Sequence, residues 1–466
     1  TGKRLIMNIE KAIDLLSNGE SDERMSGFIK YYANKLWAEY NEYLMNEIVV
    51  IENKVKELPI VIPNASIRKP YNAIVSIPCE EMTDITLSGL TEEVQGLIIE
   101  KQEDGKSFKI SGTPKESGTF DVTLRYKYRG LSVERPYLER MLQIIINPDP
   151  RDLWKDIPVP EDIEYPKDNT AKEYVKVAAL SDGTPQKDIV AASKRGRSHA
   201  QEGKPRDDDF RLYHDEKTNW YVIAVADGAG SAPYSREGSR IACNVAVEHC
   251  KEQLADSENF DDDINLYHLD QKSEAAGKAI SADIYKIVGN AALKAHKAIA
   301  AEAQPKGRKT KEYSTTLLLA ICKKYDFGWF VASFWVGDGA ICLYNQDNET
   351  AMMLGMPDEG EYAGQTRFLT MPEIFSDSNK FYQRMNCRIV PDFTALFLMT
   401  DGVSDPKFET DANLKSYDKW NELWADLKEN GVELTDDNEE AANQLLNWLD
   451  FWSPGNHDDR TIAILY

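Results

Sequence analysis

"NWYVIAVADGAGSA", residues 219–232, sets the terms for the fold. From Tyr221 to Ala226 the run is apolar at every position. A strand with one wet face alternates; a strand apolar on both faces needs cover on both. The run stops at one acidic residue, Asp227, followed by Gly228, Ala229, Gly230 and Ser231. Asp-Gly makes a turn. The same layout leaves a carboxylate at the rim of a sheet with nothing bulky beside it, and Gly228 lets a backbone carbonyl approach an ion.

The pattern recurs outward along the chain. "SFWVGDGAI" (333–341) carries Asp338, and "ALFLMTDGVSD" (395–405) carries Asp401 and Asp405. "GNHDDRTIAIL" (455–465) carries Asp458 and Asp459 before its strand, and "KPRDDDF" (204–210) carries Asp207, Asp208 and Asp209. Together with "TTLLLAICKKY" (315–325) and "AICLYN" (340–345), these runs predict buried strands. Helical periodicity falls at 236–255, 272–303, 417–428 and 437–451. Twin sheets with helices outside satisfy this pattern, and so does a doubly wound parallel sheet.

One Asp-Gly after a strand is most simply a turn. Three of them, with two acidic clusters in the same region, point further. Gathered at one rim, such carboxylates repel one another unless cations neutralise them. An all-oxygen donor set suits magnesium, manganese or calcium rather than zinc. No EF-hand spacing is present. Hard cations so held activate water and neutralise phosphate oxygens, the chemistry of phosphate-ester hydrolysis. Rival chemistries lack their residues: there is no GxxxxGK[ST] loop, no strand followed by DxD (position 229 is Ala), and no HExxH or nucleophile elbow.

The first half of the chain reads differently. Residues 8–55 are helical in period, with "SNGES" (17–21) breaking them into two helices, and their aromatic stripe suits packing or a partner. From Leu58, short β-type runs separated by Gly, Pro, Asn and Asp suggest a small β-sandwich. Residues 147–170 are rich in Pro and acid, without period. The expected organisation is a helical segment (1–56), a small all-β domain (57–148), a linker (149–170) and a catalytic domain (171–466).

The 466 residues carry a net charge of −23, which argues against general nucleic-acid binding. No stretch reaches the roughly 18 apolar residues of a membrane span. Six cysteines, none in CxxC, read as buried thiols of a reducing compartment, and a cytoplasmic location is expected.

"ADGAGSA…EGS", "STTLLLA", "FWVGDGAI", "LMTDGVSDP" and "GNHDDRTIAIL" occur in an order that resembles the metal-dependent protein phosphatases of the protein phosphatase 2C type, in their divergent bacterial branch. "GLIIE…ISGTPKESGTFDVTLRYKY" resembles the immunoglobulin-like repeats of bacterial surface and sensor proteins. These resemblances imply an α+β chain: a central β-sandwich flanked by helices, preceded by a helical segment and an immunoglobulin-like module. They imply Ser/Thr phosphoprotein substrates, a cognate Ser/Thr kinase, and two divalent cations, manganese or magnesium, with a weaker third.

Residue by residue, the family resemblance makes Asp227 the carboxylate bridging both cations, helped by the Gly228 carbonyl. Asp401 and Asp458 resemble the later ligands, although Asp459 stands where Asn is usual. Asp207 and Asp208 resemble the family's early Glu-Asp pair, and Asp338 its third-cation residue. Asp227, Asp401 and Asp458 are the expected catalytic set. An Arg usually four residues before the acidic pair is replaced by Gly203, leaving Arg197, His199 and Arg206 as candidates to bind phosphate. Ala229 stands where animal members carry a His. The residues left to 348–370 match a variable flap. A catalytically weak relative that binds phosphoproteins as a scaffold is the alternative.

Overall fold

The computed structural model describes residues 23–129, 137–358 and 366–466, apart from the side chain of Leu44. The first of the two predicted N-terminal helices lies outside these residues. The chain divides into two compact units, Thr1–Leu153 and Trp154–Tyr466.

In the first unit, helix α1 (Glu23–Lys56) leads into seven strands: β1 (Ala65–Ser66), β2 (Tyr71–Ser76), β3 (Met82–Ser88), β4 (Leu97–Lys101), β5 (Ser107–Gly112), β6 (Gly118–Tyr128) and β7 (Leu138–Asn147). They form a four-stranded sheet, β1-β7-β6-β3, and a three-stranded sheet, β2-β5-β4. Alternation here is clear: in β7 Leu138, Leu142, Ile144 and Ile146 are buried and Arg140 between them is half-buried. The inward residues of both sheets, among them Val75, Ile110, Val122, Leu124 and Ile144, share one core with Ile48, Ile51 and Val55 at the end of α1. Arg140 donates to the Val55 and Leu58 carbonyls and so caps that helix end.

In the second unit the strands are β8 (Ala171–Lys176), β9 (Ile189–Lys194), β10 (Asp209–His214), β11 (Tyr221–Ala226), β12 (Leu317–Tyr325), β13 (Gly328–Val336), β14 (Ala340–Asn345), β15 (Thr350–Gly355), β16 (Met385–Val390), β17 (Ala395–Met399) and β18 (Arg460–Leu465). One sheet runs β10-β11-β12-β13-β16 and the other β15-β14-β17-β18-β9-β8. Every pairing in both is antiparallel. This decides between the two architectures that periodicity left open, in favour of twin sheets.

The apolar runs are continuous because each strand feeds two cores. Tyr221, Ile223 and Val225 enter the layer between the sheets, with Leu396, Leu398, Ala463 and Leu465 opposite. Val222, Ala224 and Ala226 point outward, beneath helices. The helices in chain order are α2 (Arg197–Glu202), α3 (Ser235–Leu254), α4 (Glu258–Leu269), α5 (Glu274–Ile284), α6 (Asn290–Ala303), α7 (Glu373–Ser376), α8 (Ser378–Tyr382), α9 (Asp401–Phe408), α10 (Tyr417–Glu429) and α11 (Ala441–Trp448). A π-helical turn, Tyr285–Gly289, joins α5 to α6. Helices α3 and α6 cover the first sheet, while α9, α10 and α11 cover the second through Val403, Trp420 and Leu445.

The segment 154–170 belongs to this second unit. Asp156 pairs with Arg195, Ile157 N donates to Ala200 O at 2.9 Å, and Glu164 forms ion pairs with Lys306 and Arg308. Its own backbone carbonyls accept from Arg236 and Arg206. An aperiodic, proline-rich stretch is thus held by side chains rather than by a ladder.

Candidate metal centre

Antiparallel register is what gathers the acidic residues. Asp209 pairs with Ala226, which brings the start of β10 to the end of β11. Leu317 pairs with Val336, which brings the start of β12 to the end of β13. In the other sheet, Met399 at the end of β17 pairs with Ile462 near the start of β18 and with Ala340 at the start of β14. Asp207, Asp208, Asp227, Asp338, Asp401, Asp458 and Asp459 all sit just beyond those strand ends.

At the centre, carboxylate oxygens of Asp227, Asp338 and Asp401 lie within 4.8 Å of one another. Asp227 is fixed through its backbone: its N–H donates to Thr316 Oγ1 at 2.8 Å, and its carbonyl accepts from Thr316 N–H at 2.8 Å and Thr315 Oγ1 at 2.9 Å. Its carboxylate is therefore free to face the recess. Asp401 begins α9, and Gly402 behind it is required: a Cβ there would lie 1.8 Å from the Asp459 carbonyl. Gly228 is pressed the same way, with its Cβ position 2.5 Å from the Asp207 carbonyl. Asp338 accepts from Thr366 Oγ1 through one oxygen.

Asp208 lies beneath this cluster, 1% exposed. Its Oδ2 accepts from Thr400 Oγ1 at 3.0 Å and Thr461 Oγ1 at 2.7 Å. The other oxygens of Asp208 and Asp338, both Oδ1, are buried with no protein partner. Desolvation raises every one of these acids. Asp227 is held well above the carboxylate range by loss of solvent and then by Asp401 and Asp208. Asp401 is raised likewise, by desolvation and then by the charge of Asp338. Asp207 and Asp208 are each pushed up to about 7, by desolvation and then by Asp459. Orphaned carboxylate oxygens, mutual repulsion and an all-oxygen donor set fit hard divalent cations.

Beside the cluster is a pairing that sequence reading missed. His199, in α2, places Nδ1 3.0 Å from Asp459 Oδ2 and Nε2 3.7 Å from Asp207 Oδ2. Asp459 also accepts from the backbone N–H groups of Gly196, at 2.6 Å, and Asp207. Burial acts to lower the His199 pKa, but the hydrogen bond and charge of Asp459 win and raise it to about 9. The His199 bond and the two backbone donors hold Asp459 below the usual range against its own desolvation. Asp458, one residue away, is exposed on the rim instead, and its Oδ1 accepts from Asp459 N–H at 2.8 Å.

The three phosphate-binding candidates are each engaged by groups of the protein. Arg206 is 1% exposed and donates to Ser193 Oγ and to the carbonyls of Asp208 and Asp168. Arg197 donates to the Phe451 and Asp450 carbonyls and to the Asp450 carboxylate. His199 is committed to Asp459. Gly203, where the family Arg was expected, ends α2 in the left-handed region at φ 68°. Sequence reading also passed over Arg367. It follows Thr366, lies 3.8 Å from Asp358, and has 30% of its side chain exposed. Asp358 is itself claimed by Arg384.

Residues 195–450, more than half of the chain, match the family model described as Protein phosphatase 2C. The chain therefore belongs to the protein phosphatase 2C family. No curated protein matches it. Among solved structures, it is similar to a C. elegans sex determining protein, at 13% identity and a TM-score of 0.38, over 62% of this chain and 65% of that one. It thus spans about 65% of the length of that protein. It is also similar to the catalytic domain of the serine/threonine protein phosphatase PstP in complex with 2 manganese ions (16% identity, 59% and 96% covered, TM-score 0.32). A third is the serine/threonine phosphatase Stp1 from Staphylococcus aureus (12% identity, 66% and 98% covered, TM-score 0.33). No helix among the described residues is long and apolar enough to cross a membrane.

Proposed function

We propose that this chain hydrolyses phosphoserine and phosphothreonine in proteins with the help of divalent cations, manganese or magnesium. The observation that carries the reading is the Asp227–Asp338–Asp401 cluster, backed by the buried, partnerless oxygens of Asp208 and Asp338. Asp207, Asp208, Asp227, Asp338, Asp401, Asp458 and the Gly228 carbonyl are the groups we assign to holding the cations. When bound, such cations supply an activated water and neutralise phosphate oxygens. The chain's own residues do the rest. Thr315 and Thr316 aim Asp227 through its backbone, Thr400 and Thr461 fix Asp208, and Asp459 with His199 holds the Asp207 backbone in place. Arg367 takes the phosphate-facing role that Arg197 and Arg206 are too committed to play.

The carbonyl-bound state of Arg197 and Arg206 favours a second reading, a phosphoprotein-binding scaffold with weak turnover. Hydrolysis of p-nitrophenyl phosphate with manganese, with magnesium and with chelator separates the two. Metal-dependent turnover, followed by release of phosphate from phosphoserine and phosphothreonine peptides, supports the enzyme. Metal-induced stabilisation without turnover supports the scaffold.

A further inference from the structure

Helix α9 begins at Asp401, in the metal centre, and ends at Phe408. A recess of about 210 Å³ opens where it stops. Its floor is apolar and closed: Phe408 and Leu414 line it and are both buried. Ser404 lies with them, 2% exposed, and its Oγ has no hydrogen-bond partner. The mouth is acidic. Asp405, Glu409 and Asp411 line it and are exposed. Among the described residues no ion pair neutralises these three; Lys407 and Lys419 are engaged with Asp426 and Glu422 instead.

An acidic mouth over an apolar floor suits a long cationic side chain, which buries its methylene stem and keeps its charged head among carboxylates. A metal ion suits it less. Among the described residues, three-residue groups with ligand atoms within 4.8 Å of one another occur at Asp227–Asp338–Asp401 and at His199–Asp458–Asp459, not at this mouth. A planar guanidinium spreads five donors over a fork and reaches separated acceptors. Ser404 Oγ offers one more acceptor at the floor. Helix geometry sets the distance from the metal centre: Asp405 lies one turn beyond Asp401, about 6 Å along the axis, and Phe408 about 10 Å. An extended chain advances roughly 3.4 Å per residue. A phosphorylated residue seated at the metal centre therefore brings side chains two or three positions away to the recess.

We infer that this recess selects the substrate: it takes the guanidinium of an arginine two or three residues from the phosphorylated serine or threonine. The inference rests on the phosphoprotein reading of the metal centre, and its test separates the two. Fluorescence anisotropy of the full chain in manganese gives Kd for labelled peptides built on a phosphonate analogue of phosphothreonine, which is not hydrolysed. Each peptide carries Arg, Ala or Glu at one position within three residues of the phosphonate. Hydrolysis of p-nitrophenyl phosphate, which has no neighbouring residue, is followed in parallel. At one position Arg is expected to bind on the order of tenfold more tightly than Ala, and Glu more weakly than either. Glu409→Lys and Asp411→Lys are each expected to reverse the order of the Arg and Glu peptides there, which simple damage to the fold does not do. Asp326→Lys makes the same change of charge at the β12–β13 turn, the opposite end of those strands from the rim, and is expected to leave the order intact. No positional preference, a preference lost equally in Asp326→Lys, or no peptide binding overturns the inference. So does a preference abolished by excess manganese at constant ionic strength, which assigns the mouth to a further cation. A preference kept without turnover of p-nitrophenyl phosphate upholds the recess and removes the hydrolytic reading; turnover without a preference does the reverse.

Discussion

If the acidic rim exists to hold cations, it destabilises the fold when they are stripped away, and neutralising one member relieves that. Asp207 gives the cleanest case, because its side chain is 14% exposed and its folded pKa is about 7 against an ordinary 3.8. The folded state holds the proton more tightly than the unfolded chain. The associated stability is complete below 3.8 and is lost as pH rises through about 7. By pH 8 the loss is about 4 kcal/mol. Asp207→Asn keeps the shape and removes the charge. It also gives up the attraction of His199, so the net gain in chelator at pH 8 is about 2 kcal/mol, on the order of 5 °C in Tm. At pH 5 wild-type Asp207 is already protonated in the fold, and the gain shrinks. Manganese in 100-fold excess over its Kd adds about 2.7 kcal/mol to wild type, and the variant should gain less. Thermal unfolding followed by circular dichroism, in chelator and in manganese at both pH values, measures all of this. A variant less stable than wild type in chelator at pH 8, or a gain equal at pH 5 and pH 8, would refute the reasoning.

Three further outcomes follow from the site. Asp227→Asn should reduce metal-dependent hydrolysis of p-nitrophenyl phosphate to background while the chain stays folded; residual metal-dependent turnover near the wild-type rate would remove Asp227 from the centre. Arg367→Ala should raise KM for a phosphopeptide with kcat largely kept, and an unchanged KM would dismiss its phosphate-facing role. His199→Ala strands the buried Asp459 charge and should cost about 3 kcal/mol. The His199 pKa near 9 means its stabilisation is full below 6.5 and lost as pH rises through 9. Tm measured from pH 6 to 10 in chelator should fall for wild type and stay flatter for the variant; parallel slopes would sink the assignment.

What the sequence disclosed depends on how deeply each element is buried. Strands β11, β12, β13, β14, β17 and β18 announce themselves because both faces meet a core. Two of the strands passed over have a wet face or a sheet edge: β8 ("AKEYVK") has no buried residue, and β10 carries Arg211 and His214; β9 ("IVAASK") is buried inside its sheet, but its small and polar residues leave only a short apolar run. Helix α4 was missed because "ENFDDDINLYHL" buries only Phe260 and Ile264. The direction of strand pairing was not legible, since it rests on backbone partners rather than composition. The acidic residues at the strand ends could be read; the threonines that aim them could not. Thr316 and Thr400 flank β12 and β17 and Thr461 lies in β18, and nothing marks them until register sets their hydroxyls against Asp227 and Asp208. Arg197 and Arg206 show the opposite limit, side chains whose partners the sequence did not disclose. Nearness in sequence to the acidic pair says nothing of where a guanidinium ends, and the carbonyls of Asp168, Asp208, Asp450 and Phe451 accept from these two.

Asp458 and Asp459 show why a cluster of acids cannot simply be counted as a cluster of ligands. They are adjacent as the chain enters β18, where successive side chains point to opposite sides. Asp458 faces the rim. Asp459 faces inward, where His199 and two backbone N–H groups already saturate it. A carboxylate matched by an imidazolium adds little net charge to the recess, so its presence where the family carries Asn does not raise the demand for cations. It has a different effect. Asp459 ties together Gly196 before α2, Asp207 before β10 and its own position before β18, three segments that approach the rim from both sheets. The unneutralised charge belongs to Asp227, Asp338 and Asp401 together with Asp207, Asp208 and Asp458. It is this set, and not the acidic composition of the chain, on which the proposed cation binding rests.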